Sequence, residues 1–264
     1  NCSKMTDDEL MRIPTITNDG INENGVLASV HVLIADGIDD MSGTNESGEV
    51  IDGRYVVRYV LDHAGSAEHA VSLLKRANIV GGFGTYGLHW MIADENDTYI
   101  VEVIGGQLAV SKNKFSFMTN FYLNYGPVQK MQTVAGIDFE NVPLLNECAI
   151  GVERWNYIRS HYDEGASFEG MARLMENVKA TTVYSQSADE LWLTEYSSDG
   201  LTIHSSREDF LRAAALQQEM FEHRDRISPQ GDWITWHTSV YDIAQQKLTV
   251  WSQEDYTTSY EFTL

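Results

Sequence analysis

Two asparagines stand at junctions between apolar strands and turns. Asn22 lies in Asp19-Gly20-Ile21-Asn22-Glu23-Asn24-Gly25, immediately before the unbroken apolar run Val26 to Ile34, and Asn120 leaves the strand-like stretch Phe115 to Thr119. Asparagine and glycine tolerate left-handed backbone, so the first segment can close into a tight polar bend whose N–H groups and side-chain amides converge. Acyl-transfer chemistry needs such donors: an oxyanion develops at the attacked carbonyl, and one fixed donor is worth roughly 3 kcal/mol in the transition state. Each asparagine taken singly has a second reading. Asn-Gly turns beside strands are common structural hairpins, and strand-end asparagines satisfy loop backbone.

Other clusters carry less. Gly81-Gly82-Phe83-Gly84 lacks the lysine and the strand-loop-helix setting of a phosphate loop and reads as a flexible loop near a pocket. Its neighbours Phe83, Tyr86 and Trp90 suit either an acyl pocket or a packed core. The eight histidines include His31 and His89 within strands and His63 and His69 flanking a helix, with no ligand-type spacing, so no metal site is read from them.

The elements that must hold these residues follow from periodicity. Val26 to Ile34 is apolar on both faces, as in a central strand covered on both sides. Beyond the polar loop Asp36 to Gly53, Val56 to Leu61 leads to Ser66, a helix N-cap, and Ala67, Ala70, Val71 and Leu74 then recur at helical spacing. Leu88 to Asp94, Tyr99 to Ile104, Leu108 to Val110 and Phe115 to Met118 read as consecutive antiparallel strands. Val152 to His161, Phe168 to Val178 and Phe210 to Phe221 carry apolar residues three and four apart and are predicted amphipathic helices. Trp236 to Ile243, Leu248 to Ser252 and Tyr260 to Leu264 close the chain as strands. Strand meanders around a helical block indicate an α+β fold with helices laid on antiparallel sheets.

Length and charge narrow the partners. At 264 residues and 43% hydrophobic, with four scattered prolines and no linker or repeat, the chain fits one large domain over 1–264. Its 39 acidic against 18 basic residues give a net charge of -21 and leave no basic stripe for phosphates, which excludes nucleic acid as a partner. No apolar run approaches the roughly 20 residues of a membrane span, and no signal-peptide pattern opens the chain. Two cysteines, Cys2 and Cys148, make no disulfide framework and suit a reducing compartment such as a bacterial cytoplasm.

Five motifs occur in a telling order: Asp19 to Gly25, Arg58-Tyr-Val-Leu-Asp62 with the helix after it, His89 to Asp94 followed by Tyr99 to Glu102, Thr119-Asn120, and Thr238-Ser-Val-Tyr-Asp242. Together they resemble the choloylglycine hydrolase family of bile salt hydrolases, penicillin V acylases and related linear amide carbon-nitrogen hydrolases. Each motif is short, and the resemblance, which runs from about Pro14 to Leu264, rests on their order. It implies the N-terminal nucleophile superfamily with a four-layer αββα sandwich of antiparallel sheets. It also implies a small-molecule amide substrate, no cofactor and homo-oligomers. Asn22 and Asn120 would form the oxyanion hole, and Arg154, on the helix that follows, would orient the nucleophile through charge. Arg154 with Glu153 and Arg159 also reads as a solvated helix face.

Members of the family attack with an N-terminal cysteine whose own α-amine shuttles the proton. Cys2-Ser3 resembles that start, although Asn1 acylates its nitrogen and would have to be removed first. The family places a strand pair with a Gly-Arg-Asn-x-Asp type motif, and a further long segment, between its cysteine and the Asn-Glu turn. Lys4 to Met11 is instead polar and helix-like, so the expectation is a chain that begins downstream of the nucleophile and lacks its first strands, with Cys2 incidental; Cys2 as the nucleophile itself is the alternative. Cys148, in Leu144-Leu-Asn-Glu-Cys-Ala-Ile150, has the apolar setting of a buried core cysteine. An acyltransferase and a non-catalytic module of the same fold are the rival functions.

Overall fold

The computed structural model describes residues 16–33, 41–82, 87–113, 117–124, 152–162, 167–178, 237–252 and 255–263. The helix expected at 210–221 lies outside them, as do Phe83 and Tyr86. Residues 1–33, 37–118 and 122–124 cluster as one compact unit, and 34–36, 119–121 and 125–264 as another.

In the first unit a five-stranded sheet has the order β1-β2-β5-β6-β7, formed by Asp19–Ile21 (β1), Leu27–Leu33 (β2), Gly87–Ala93 (β5), Thr98–Ile104 (β6) and Gln107–Lys112 (β7). All neighbours in it run antiparallel. A separate parallel pair joins Val50–Asp52 (β3) to Asn78–Val80 (β4). Between them come a 3-10 turn, Gly53–Tyr55, and two helices, Val56–His63 (α1) and Ala67–Arg76 (α2). Ser66 caps α2 as its sequence predicts, its side chain accepting from His69 N.

Side-chain alternation gives the sheet two faces. Ala28, Leu88, Trp90, Ile92, Val101 and Val103 join Val56, Val57, Val60, Ala67, Ala70, Val71 and Leu74 from the helices in one buried core. Their apolar spacing along α1 and α2 is what a helix laid on a sheet needs. Trp90 therefore belongs to the core of the two readings its sequence allowed. The other face carries His31, His89 and Glu102, which lie side by side because His31 pairs with His89 and His89 with Glu102 in the strand register.

Two strand expectations change. β2 is interior, between β1 and β5, but the middle of the sheet is β5. The strand expected over Phe115 to Met118 does not form at Phe117 and Met118, which are buried but irregular. Asn113 Nδ2 donates to Phe117 O at 2.8 Å, occupying a carbonyl that a strand ladder would use, so burial rather than ladder pairing accounts for Phe117 and Met118.

In the second unit Val152–His161 (α3) and Phe168–Asn177 (α4) precede the antiparallel meander His237–Asp242 (β8), Lys247–Ser252 (β9) and Asp255–Thr263 (β10). Trp155 of α3 is fully buried, edge-on to Phe121. Ser167 caps α4, and Phe168 at its start lies 6.1 Å from the Trp251 ring on β9.

Candidate active site

The bend expected around Asn22 is a hairpin, with Ile21 of β1 paired to Leu27 of β2. Inside it Asn22 N donates to Val26 O at 3.0 Å and Gly25 N to Asn22 O at 2.9 Å. Gly25 sits at φ 75°, a left-handed conformation that glycine adopts without strain. The side-chain oxygen of Asn22 accepts from Asn24 N and Val26 N, at 3.0 and 2.9 Å. Its Nδ2 donates to Leu61 O at 3.1 Å and to Ala64 O at 2.8 Å. Those carbonyls belong to the end of α1, where the helix has no partners of its own to offer them. Asn22, 6% exposed, thus closes the bend with its oxygen and caps α1 with its nitrogen. Both amide protons have main-chain acceptors.

Asn120 is held differently. Nη2 of Arg154, on α3, donates to Asn120 Oδ1 at 2.9 Å. Arg154 is only half-exposed, so it does not belong to a freely solvated helix face. Trp155 and Ile158, both buried, set the side of α3 that packs. A guanidinium on the carbonyl end of an amide fixes its rotamer, points its nitrogen the opposite way and draws electron density from the N–H bonds. Asn120 and Arg154 are a physical pair, at a sequence distance that periodicity could not bridge.

A buried carboxylate adjoins the same stretch of chain. Glu102, on β6, has no solvent exposure and accepts from three donors: His89 Nδ1 at 3.0 Å, Leu123 N at 2.8 Å and Asn124 N at 2.6 Å. Asn124 adds its own anchor, Nδ2 donating to Ile100 O at 3.2 Å. Among the described residues, the buried His89 Nε2 has no hydrogen-bond partner. Sequence reasoning treated Glu102 only as the end of a motif and His89 as a strand residue. The available signal was one charge inside the apolar strand Tyr99-Ile-Val-Glu-Val-Ile104, since a carboxylate is rarely buried without dedicated donors.

Asp94, at the end of the same motif, joins the β5–β6 turn to α2. Its Oδ2 accepts from Ala67 N at 2.8 Å and its Oδ1 from Asn96 N and Asp97 N, each at 2.9 Å. Burial pushes this carboxyl's pKa up, but the three main-chain donors, aided by Lys112, hold it below the ordinary aspartate value. Cys2 and Cys148 lie outside the described residues.

Comparison with known proteins places these residues in a family. The family model for "Linear amide C-N hydrolases, choloylglycine hydrolase family" matches residues 7–141, and the chain belongs to that family. The matched span contains Asn22, Glu102 and Asn120, whereas Cys2 and Arg154 lie outside it. Among solved structures, two variants of conjugated bile acid hydrolase from Clostridium perfringens are similar, each at a TM-score of 0.61, with 16% and 15% identity over 94% of this chain and 73% of theirs. Penicillin V acylase from Agrobacterium tumefaciens is similar at a TM-score of 0.51, with 18% identity over 95% of this chain and 67% of that one. Among curated proteins none matches the sequence. These likenesses show the fold, the α+β class of the αββα sandwich that the motif order implied. The family model bears out the family resemblance, and with it a hydrolase family acting on linear amides.

Proposed function

We propose that the protein is a cysteine amidase that cleaves the carbon-nitrogen bond of a linear N-acyl compound, such as penicillin V, a conjugated bile acid or an N-acyl amino acid. The observation that carries this reading is the Arg154–Asn120 hydrogen bond, which turns the donor end of one loop amide into a preorganised group. A cysteine thiolate adds to the amide carbonyl, and the carbonyl electron pair moves onto oxygen, where Asn120 Nδ2 donates to it. Collapse breaks the C–N bond, the departing amine takes a proton from the nucleophile's α-ammonium group, and water then hydrolyses the thioester to the acid. Cys2, once Asn1 is removed, is the proposed nucleophile within this sequence.

In this proposal Asn22 is the second donor, and it takes part by exchanging a main-chain carbonyl for the oxyanion. The longer of its two bonds, to Leu61 O, is the one to be released. Turnover of the three substrate classes by the full-length protein tests the reading, together with alkylation by a thiol reagent mapped by mass spectrometry. Hydrolysis of at least one class with a single modified N-terminal cysteine supports it. No turnover and no labelled cysteine would remove it, and acyl transfer to an added amine in place of hydrolysis would redirect it to the acyltransferase reading.

A further inference from the structure

We infer that Glu102 is a positioning residue for Asn120, a role that rests on the reading of Asn120 as an oxyanion donor. Asn120 precedes Leu123 by three residues, and the intervening Phe121 and Tyr122 are 2% and 0% exposed, so this short segment has little slack. The segment is irregular and lacks a ladder of its own. The Glu102 carboxylate ties its end to the sheet by taking the N–H groups of both Leu123 and Asn124, and the Asn124 side chain adds a bond to Ile100 O. The third donor, His89 Nδ1, comes from the neighbouring strand at the register position opposite Glu102 and holds that carboxylate in place. Two successive main-chain donors on the two oxygens of one anion make a short, charge-assisted clamp. Glu102 and His89 have no solvent exposure, so the clamp is insulated from solvent.

The clamp acts on where the Asn120 amide stands rather than on substrate affinity. An oxyanion donor works only in the transition state, and a displacement of about 1 Å in such a group costs on the order of 100-fold in rate. Glu102→Gln replaces one acceptor oxygen by an NH2 group, which cannot accept from a main-chain N–H, so one of the two loop donors loses its partner. The expected result is a fall in kcat of roughly 10- to 100-fold with KM unchanged within about twofold. In an Asn120→Ala background the same substitution should cost less than about twofold, because the group being positioned is already gone.

A second readout does not depend on turnover. The side-chain NH2 resonances of Asn120, identified by their loss in Asn120→Ala, should shift or broaden in Glu102→Gln. Should that variant not fold, His89→Ala, which removes the third donor to the Glu102 carboxylate, should lower kcat in the same direction and show the same non-additivity. Full additivity with Asn120→Ala, or unmoved Asn120 resonances, would overturn the positioning role. If Asn120→Ala itself left kcat unchanged, the oxyanion reading would fail instead, and the resonance experiment would still decide whether Glu102 positions the amide.

Discussion

The guanidinium of Arg154 reaches Asn120 Oδ1 at 2.9 Å from a helix 34 residues further along the chain. The two ends of that amide consequently have separate tasks. The oxygen is tied to a permanent charge, and the nitrogen is directed by that tie.

Removing the donor and removing its tie should differ in degree. Asn120→Ala is expected to lower kcat by about 100- to 1,000-fold with KM little altered, the pattern of a group that acts only in the transition state. Arg154→Lys keeps the charge but replaces a planar fork by a compact ammonium, and a loss of about 10-fold is expected. Steady-state kinetics on the amide the protein turns over would check both. A change confined to KM in Arg154→Lys would place Arg154 in substrate binding instead.

Asn22 makes a contrasting prediction, on stability. Asn22→Ala leaves two carbonyl acceptors at the end of α1 and two N–H donors in the hairpin bend without their side-chain partner, at a site that is 6% exposed. Unsatisfied buried groups of this kind cost about 1–3 kcal/mol each, softened by water at the partly buried ones, so a destabilisation of about 3 kcal/mol is expected. For a chain of this length that corresponds to a Tm lower by roughly 6–12 °C in a thermal melt. A variant with unchanged Tm and abolished turnover would mean that the amide is held for the reaction and not for the fold.

Acid should act through Asp94. Its carboxyl pKa is lowered by folding, so the ionised form stabilises the native state above the ordinary aspartate value of 3.8, and that contribution is lost as pH falls through the lower native value. Asp94→Asn keeps one acceptor and abolishes the titration. It is expected to cost about 1–2 kcal/mol at pH 7 and progressively less toward pH 3, read as the difference between wild-type and variant denaturation midpoints. A difference independent of pH would show that the carboxylate charge contributes nothing.

How far these relationships could be read in advance depended on their sequence range. The polar bend before the apolar run at Val26, the cap at Ser66 and the strands around His89 and Tyr99 are local patterns, and all of them appear in the fold. The acceptors of Asn22 are not local: Leu61 and Ala64 lie 39 and 42 residues away, and no periodicity links a turn amide to a helix end so distant. For Phe117 and Met118 the apolar pattern correctly signalled burial, but their departure from strand geometry was set by the Asn113 side chain. Glu102 was legible only as an anomaly. Its partners come from a neighbouring strand and a loop 21 and 22 residues downstream, so its purpose had no local signature.

The row formed by His31, His89 and Glu102 across β2, β5 and β6 has one more consequence. Strand side chains alternate with a period of two, so sliding β6 past β5 by a single residue would rotate Glu102 into the apolar layer shared with α1 and α2, stripped of all three donors. That misfolded sheet would bury an uncompensated charge against Val56, Val60 and Leu74. The polar row thus proofreads strand alignment during folding, excluding a slipped sheet that the apolar residues, rich in near-equivalent valines and isoleucines, would penalise far less.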